Sequence, residues 1–200
     1  MHNAIAFDAT RAGWAEDEAG RREELVRFGL WMFLATVTML FAAFTSAYIV
    51  RRSGSDWRPI TLPPALWLNT IVLAASSLAV EAARWSGLRG KWAASSAAFG
   101  VAIAFGVGFL GGQILAWRQL MAAGVYLPTN PHSSFFYMLT GAHAVHLVAA
   151  LAILAWGGVK TWSGGRRDPR RWAAAMGLCR TFWHYLGAVW VYLFLLVSVY

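Results

Sequence analysis

Residues 133–159, SSFFYMLTGAHAVHLVAALAILAWGGV, contain no aspartate, glutamate, lysine or arginine. About 20 predominantly apolar residues are enough for an α-helix to cross the roughly 30 Å hydrocarbon core of a bilayer, so this stretch predicts a transmembrane helix. Uncharged runs of the same kind occupy residues 28–50, 92–117 and 181–200.

A shorter apolar run, residues 65–80, precedes Glu81 and Arg84. These two side chains are long enough to reach toward the lipid headgroups, which lets the helix continue to about Trp85. The sequence therefore predicts an all-α fold, a polytopic bundle of five transmembrane helices. The predicted spans are approximately residues 25–50, 65–85, 92–118, 133–159 and 176–199.

The composition supports lipid as the solvent of most of the chain. Hydrophobic residues make up 58% of the 200 positions and charged residues only 13%, too apolar a balance for a water-soluble domain. Residues 1–24 are rich in acidic side chains and lack the basic start of a secretory signal, so they are predicted to form a short cytoplasmic tail. Residues 25–200 form the predicted membrane domain.

The net charge of +8 does not indicate nucleic-acid binding, because the basic residues lie in the gaps between apolar runs. With the N-terminus inside, thirteen lysines and arginines fall on the cytoplasmic side, and only Arg51, Arg52, Arg58 and Arg118 fall on the other. This positive-inside pattern predicts a cytoplasmic N-terminus and a periplasmic C-terminus, and the inner membrane as the location.

The histidines raise the question of a haem site. His143 and His146 stand three apart on one helical face, and His184 lies on the fifth predicted span. His184 sits only a few residues into its span whereas His146 lies near mid-bilayer, a depth difference on the order of 10 Å that is too large for one iron. Neutral histidines bonded to neighbouring helices or to lipid headgroups are favoured, and Asn69 and Gln113 fit the same role.

Other chemical groups are few. Cys179 is the single cysteine, so an intrachain disulfide and a thiolate metal cluster are excluded, and a small buried side chain is expected there. Glu81 is the one carboxylate within a predicted span, and an interfacial ion pair with Arg84, one turn on, is expected.

Glycines on the third and fourth spans indicate close helix packing. The letters of residues 106–111, GVGFLG, fit a dinucleotide-binding fingerprint, but they lie inside an apolar run without the strand that such a site requires. Gly108 and Gly112 instead form a small-xxx-small pair that lets a neighbouring helix approach, and Gly141 is expected to pack in the same way.

Several segments resemble subunit III of the haem-copper cytochrome c oxidases. The most specific is residues 135–146, with paired phenylalanines, Thr-Gly, and two histidines three apart. The segment Phe182-Trp183-His184-Tyr185 with Trp190 is similar to the family's closing Trp-His-Phe helix. Further similar segments are residues 68–70 with 75–76, Gln113, and residues 39–51.

The resemblance implies a five-helix bacterial form, without the first two of the seven helices usual in mitochondria. It implies a non-catalytic subunit, without haem or copper of its own, that stabilises the catalytic subunit I beside subunit II and a small subunit IV, and binds phospholipid. Haem and copper are expected in the partner subunits, and membership of a larger respiratory supercomplex stays open. The expected lipid-binding or interhelical residues are His143, His146, His184, Trp183, Asn69, Gln113 and Arg180.

The chain also departs from the family pattern. Residues 36–38 read Thr-Val-Thr where the family usually has Ser-Glu-Val, so the carboxylate of the proton-uptake side is absent at Val37. Arg118 and Gly187 stand where acidic residues are common. A partner role in a quinol oxidase or a nitric oxide reductase stays open, as does the electron donor. From other classes, a small haem-binding membrane cytochrome and a small carrier are the alternatives.

Overall fold

A computed structural model of the protein describes residues 2–163 and 168–199, and every regular element in these residues is an α-helix. Five of the helical segments are long and apolar enough to cross a membrane, which confirms the predicted all-α membrane bundle. The helices are α1 (His2–Arg52), α2 (Ala65–Leu88), α3 (Trp92–Ala122), α4 (Pro131–Ser163) and α5 (Pro169–Val199).

The predicted spans fall within these helices, and the helices extend beyond them. The helical segment of α1 begins well before residue 25, so the predicted tail is continuous with the first span. Four of the cations used to predict the orientation, Arg11, Lys160, Arg166 and Arg167, have side chains outside the described part of the chain.

Short capping motifs end the helices where the chain turns. After α2, the N–H of Gly90 bonds to Gly87 O and the N–H of Lys91 bonds to Ser86 O, the two bonds of a Schellman motif. Gly90 has φ 71°, a left-handed conformation that glycine adopts without steric cost. Gly124, with φ 77°, ends α3 in the same way.

Side-chain caps begin α4 and α5. Asn130 Oδ1 accepts the N–H of Ser133 at 3.1 Å, and Ser133 Oγ accepts the N–H of Asn130 at 3.2 Å, so two donors of the first turn are satisfied reciprocally. Asp168 Oδ1 accepts the N–H of Arg171 at 3.0 Å before α5. A proline follows each capping residue, at a position where its missing N–H costs no helical bond.

Within residues 39–199 the helices pack in a closed order, α2 on α3, α3 on α4, α4 on α5 and α5 on α2. The last turns of α1 add to this arrangement, because the ring of Phe41 lies 6.4 Å from that of His143 and Tyr192 Oη donates to Thr45 Oγ1 at 3.1 Å. Residues 2–38 form a separate compact unit within the same continuous helix. In it, Thr36 donates its hydroxyl to the carbonyl one turn back, as serine and threonine often do within helices.

Small residues bring the helices together, as expected where lipid supplies no hydrophobic drive between them. A Cβ added to Gly106 on α3 would lie 2.6 Å from a methyl of Leu151 on α4 and 2.8 Å from the Trp183 ring on α5. The glycine therefore provides the space into which these two buried side chains pack.

Candidate functional site

A cluster of three ionisable side chains, here called the Glu81 cluster, joins α2 to α5. Glu81 Oε1 forms an ion pair with Arg180 Nε and accepts the Nε2–H of His184 at 2.7 Å. Within the described part of the chain these are the partners of Glu81, so the pair expected with Arg84 of the same helix is wrong. The physical reason is that Arg180 and His184, one turn apart on α5, both face the carboxylate.

The Glu81 cluster lies at the lateral surface of the bundle. The side chains of Glu81, His184 and Arg180 are 37%, 34% and 42% exposed, although the helices that carry them are membrane-spanning. Both hydrogen bonds use the same carboxylate oxygen, and the bond from Nε2 assigns the His184 proton to that nitrogen. The arrangement is an ion-paired link between two helices that keeps polar atoms open to a headgroup or a partner.

A second group, here called the central polar layer, consists of Asn69 on α2, Gln113 on α3 and His143 on α4. The three residues are 3%, 1% and 0% exposed. His143 lies in an aromatic box: its ring centroid is 6.4 Å from Phe41, 6.2 Å from Phe109 and 5.4 Å from Trp190. Asn69 packs directly against Gly112, where a Cβ would collide with the amide.

Protein partners satisfy other buried polar groups around this layer. Trp190 donates its indole N–H to Thr70 Oγ1 at 3.0 Å, and Trp117 donates to Thr140 Oγ1 at 3.1 Å. Ser76 Oγ donates to Ala102 O at 2.7 Å between α2 and α3. These contacts were not among those predicted from the sequence. The feature of the sequence that could have indicated them is the presence of hydroxyl and indole groups inside otherwise apolar spans.

The remaining predicted site residues have different surroundings. His146 is half-buried, and its Nδ1 lies 2.7 Å from Ala142 O of its own helix. Trp183 is buried against Gly106. Gly108 makes ordinary contact with Val72 on α2, whereas a Cβ at Gly141 would meet no atom within 4 Å. The close packing expected at Gly141 stays a prediction.

A third polar group, not predicted from the sequence, fixes the loop of residues 53–64 to α4. His132 Nδ1 accepts the N–H of Ile60 at 3.1 Å, and its ring stacks on Trp57 at 4.9 Å. Because Nδ1 accepts, the proton is on Nε2, which donates to Tyr48 Oη at 3.3 Å. We call Tyr48, Trp57 and His132 the loop latch.

A groove of about 1470 Å³ lies beside the loop latch, between the end of α1 and the two loops of residues 53–64 and 123–130. Ala43, Ala47 and Arg58 are among the residues that line it. The N–H groups on both terminal nitrogens of Arg51 donate to the Asp56 carboxylate, at 2.7 and 2.5 Å. This bidentate bond holds the pKa of the Asp56 carboxyl below its usual value.

The described residues bring together no group of three or more His, Cys, Asp or Glu side chains that could hold a metal ion. His184 is committed to Glu81, and Cys179 is buried with its thiol 3.7 Å from Ile153 O. Among the described residues, the polar side chains of the Glu81 cluster and the loop latch form hydrogen bonds and ion pairs.

The sequence is similar to a well-defined protein family. Residues 8–200 match the family described as cytochrome c oxidase subunit III. The chain is 28% identical over 199 residues to cytochrome bo(3) ubiquinol oxidase subunit 3 of Pseudomonas aeruginosa, covering 98% of this chain and 94% of that protein. It is 27% identical over 199 residues to cytochrome c oxidase subunit 3 of Thermostichus vulcanus, covering 92% of each. The cytochrome c oxidase subunit 3 of Bacillus sp. (strain PS3) is 26% identical over 176 residues, 84% of this chain and 83% of that one.

Proposed function

The chain belongs to the cytochrome c oxidase subunit III family, a family of non-catalytic oxidase subunits, and from this we propose that it docks on the catalytic subunit I of a bacterial terminal oxidase. In this proposal it lies in the inner membrane with its N-terminus in the cytoplasm, beside subunit II and a small subunit IV. The partner subunits carry the haem and copper. The observation that carries the proposal is the family match over residues 8–200 on five membrane-spanning helices.

The electron donor of that oxidase is either cytochrome c or a quinol. The similarity to the subunit 3 proteins of cytochrome c oxidases favours the first, and the similarity to a ubiquinol oxidase subunit 3 over 98% of this chain favours the second. We keep cytochrome c as the main proposal. Oxygen consumption by the purified complex, measured separately with reduced cytochrome c and with ubiquinol, decides between them.

Phospholipid binding is the second part of the proposal, and the Glu81 cluster supports it. Arg180 uses its Nε for Glu81 and is 42% exposed, which leaves its terminal N–H groups open to a phosphate oxygen. His184 and the half-buried His146 contribute further polar surface. The burial of Asn69, Gln113, His143 and Trp183 favours contacts inside the bundle for them rather than with lipid headgroups.

Isolation of the tagged chain from native membranes, followed by mass identification of the attached proteins, tests the docking proposal. We expect a haem-copper catalytic subunit in stoichiometric amount, and a purified single chain that is colourless above the aromatic band. Haem bound to the isolated chain would instead support the membrane cytochrome alternative. Failure to recover any oxidase subunit from intact membranes would contradict the proposal.

Mass analysis of lipids retained by the complex tests the lipid proposal. Arg180→Gln is expected to lower the retained phospholipid, whereas Arg84→Gln, a cation on α2 that does not pair with Glu81, serves as the matched control. Equal lipid retention in both variants and in the unaltered protein would remove the headgroup role of Arg180.

A further inference from the structure

The central polar layer holds buried polar atoms that have no partner in the described part of the chain. Both amide atoms of Gln113, both ring nitrogens of His143, and Nδ2 of Asn69 are buried without a hydrogen bond. In the hydrocarbon region a polar group cannot turn to bulk water, so leaving it unsatisfied is costly. Five such atoms on three neighbouring helices indicate a site for a small polar ligand.

The contacts of the residues on either side of Gln113 indicate that it lies at the same depth as His143. Phe109 and Trp117 lie one turn before and one turn after Gln113 on the same face of α3. The Phe109 ring meets His143 at 6.2 Å, and Trp117 donates to Thr140, one turn from His143 on α4. Gln113 therefore lies on the face of α3 that packs against the turn of α4 carrying His143.

Asn69 reaches the same layer from α2. Its amide lies against Gly112, the residue that precedes Gln113. The next residue, Thr70, accepts the indole N–H of Trp190, and the Trp190 ring is 5.4 Å from His143. Trp190 thus marks a depth that α2, α4 and α5 share.

The chemistry of the five atoms selects the ligand. Amide nitrogens only donate, the Gln113 oxygen only accepts, and a neutral imidazole offers one donor and one acceptor. A metal cation is not matched by this set, because it contains one imidazole and no carboxylate or thiolate. An anion would lack a cationic partner within the layer. Water, which donates and accepts, matches the set, and a buried water typically makes about three hydrogen bonds.

We propose that Asn69, Gln113 and His143 form an internal water-binding site in the middle of the membrane bundle, in which ordered water bridges α2, α3 and α4. Such a site joins the three helices through hydrogen bonds to water, in addition to the direct hydrogen bonds between them. It gives Asn69, Gln113 and His143 a shared role as ligands of water.

Solid-state NMR of the full chain in lipid bilayers, with ¹⁵N in the histidine and tryptophan rings and in the side-chain amides of Asn and Gln, tests the proposal. Polarisation is transferred from water protons to the labelled N–H groups. We expect early transfer to the His143 ring N–H and the Gln113 amide, and slow transfer to Trp190, whose buried N–H is bonded to Thr70. If polarisation reaches His143 and Gln113 as slowly as it reaches Trp190, the proposal is overturned. A direct hydrogen bond between His143 and Gln113, without water, would give this slow transfer and would also overturn it.

A second measurement uses the variants His143→Phe, Gln113→Leu and their combination, with His146→Phe as the control on the same helix. If both residues bind shared water, each single change lowers the unfolding midpoint and the double change lowers it no further than the more severe single one. The control is expected to leave the transfer from water to Gln113 unchanged. Additive losses in the double variant, or unchanged transfer to Gln113 in His143→Phe, would contradict a shared site.

Discussion

Glu81 Oε1 on α2 and His184 Nε2 on α5 lie 2.7 Å apart, although 103 positions separate the two residues in the sequence. The same oxygen is paired with Arg180, so one carboxylate serves two donors from the neighbouring helix. The contact between α2 and α5 therefore has an electrostatic component in addition to packing. This component is stronger beside lipid than in water, because the surrounding dielectric constant is lower.

Replacement of Glu81 by Gln is expected to destabilise the bundle by about 1–3 kcal/mol. Removing one member of a fully buried ion pair typically costs about 3–5 kcal/mol, and the partial exposure of this cluster reduces the loss. Thermal unfolding of the chain in detergent micelles gives the measurement. Arg84→Gln is the control, since Arg84 lies one turn away on the same helix and does not pair with Glu81.

The double variant Glu81→Gln with Arg180→Gln separates an ion pair from simple packing. If the loss of stability in Glu81→Gln arises from an uncompensated guanidinium, the double variant should unfold at a higher temperature than Glu81→Gln alone. A double variant less stable than either single one would show that the two side chains stabilise the bundle independently.

Substitution of Gly112 by Val is expected to separate α2 from α3 and lower stability by about 1–3 kcal/mol, the usual cost of overpacking. The added Cβ would collide with the Asn69 amide. Gly111→Val is the matched control, because a Cβ there meets no atom within 4 Å and the change in helix propensity is the same. Equal unfolding midpoints for the two variants would contradict close packing at Gly112.

The sequence predicted the fold well because each span carries its own signal, namely a long uncharged run of residues. It did not predict the partner of Glu81. Arg84 was the nearest cation along the helix, whereas the actual partners, Arg180 and His184, come from a helix whose rotation about its own axis depends on packing. The loop latch was missed for the same reason: nothing local in the sequence shows that His132 accepts the N–H of Ile60.

The change His132→Phe is expected to loosen the loop of residues 53–64 while leaving the helices intact. Phenylalanine can keep the stacking on Trp57 but cannot accept the N–H of Ile60, a hydrogen bond worth about 0.5–1.5 kcal/mol. Hydrogen exchange of the Ile60 amide should accelerate in the variant. His146→Phe is the control, and an Ile60 exchange rate equal in both variants would show that the latch does not hold the loop.

The Arg51 and Asp56 pair gives the loop of residues 53–64 a defined dependence on pH. Because the Arg51 guanidinium lowers the pKa of the Asp56 carboxyl in the folded protein, the pair contributes stability above the carboxyl's unfolded pKa. That contribution is lost as the pH falls through the lower folded pKa.

Replacing Arg51 by Gln removes the hydrogen bond that causes the shift, so the Asp56 titration midpoint should rise toward its ordinary value. The ¹³C shift of the Asp56 carboxyl, followed against pH in both proteins, measures this directly. Arg52→Gln is the control, since Arg51 and not Arg52 is the side chain whose hydrogen bond and charge lower the pKa of the Asp56 carboxyl. A midpoint that stays low in Arg51→Gln would mean that another feature of the loop, and not the guanidinium, stabilises the ionised carboxylate.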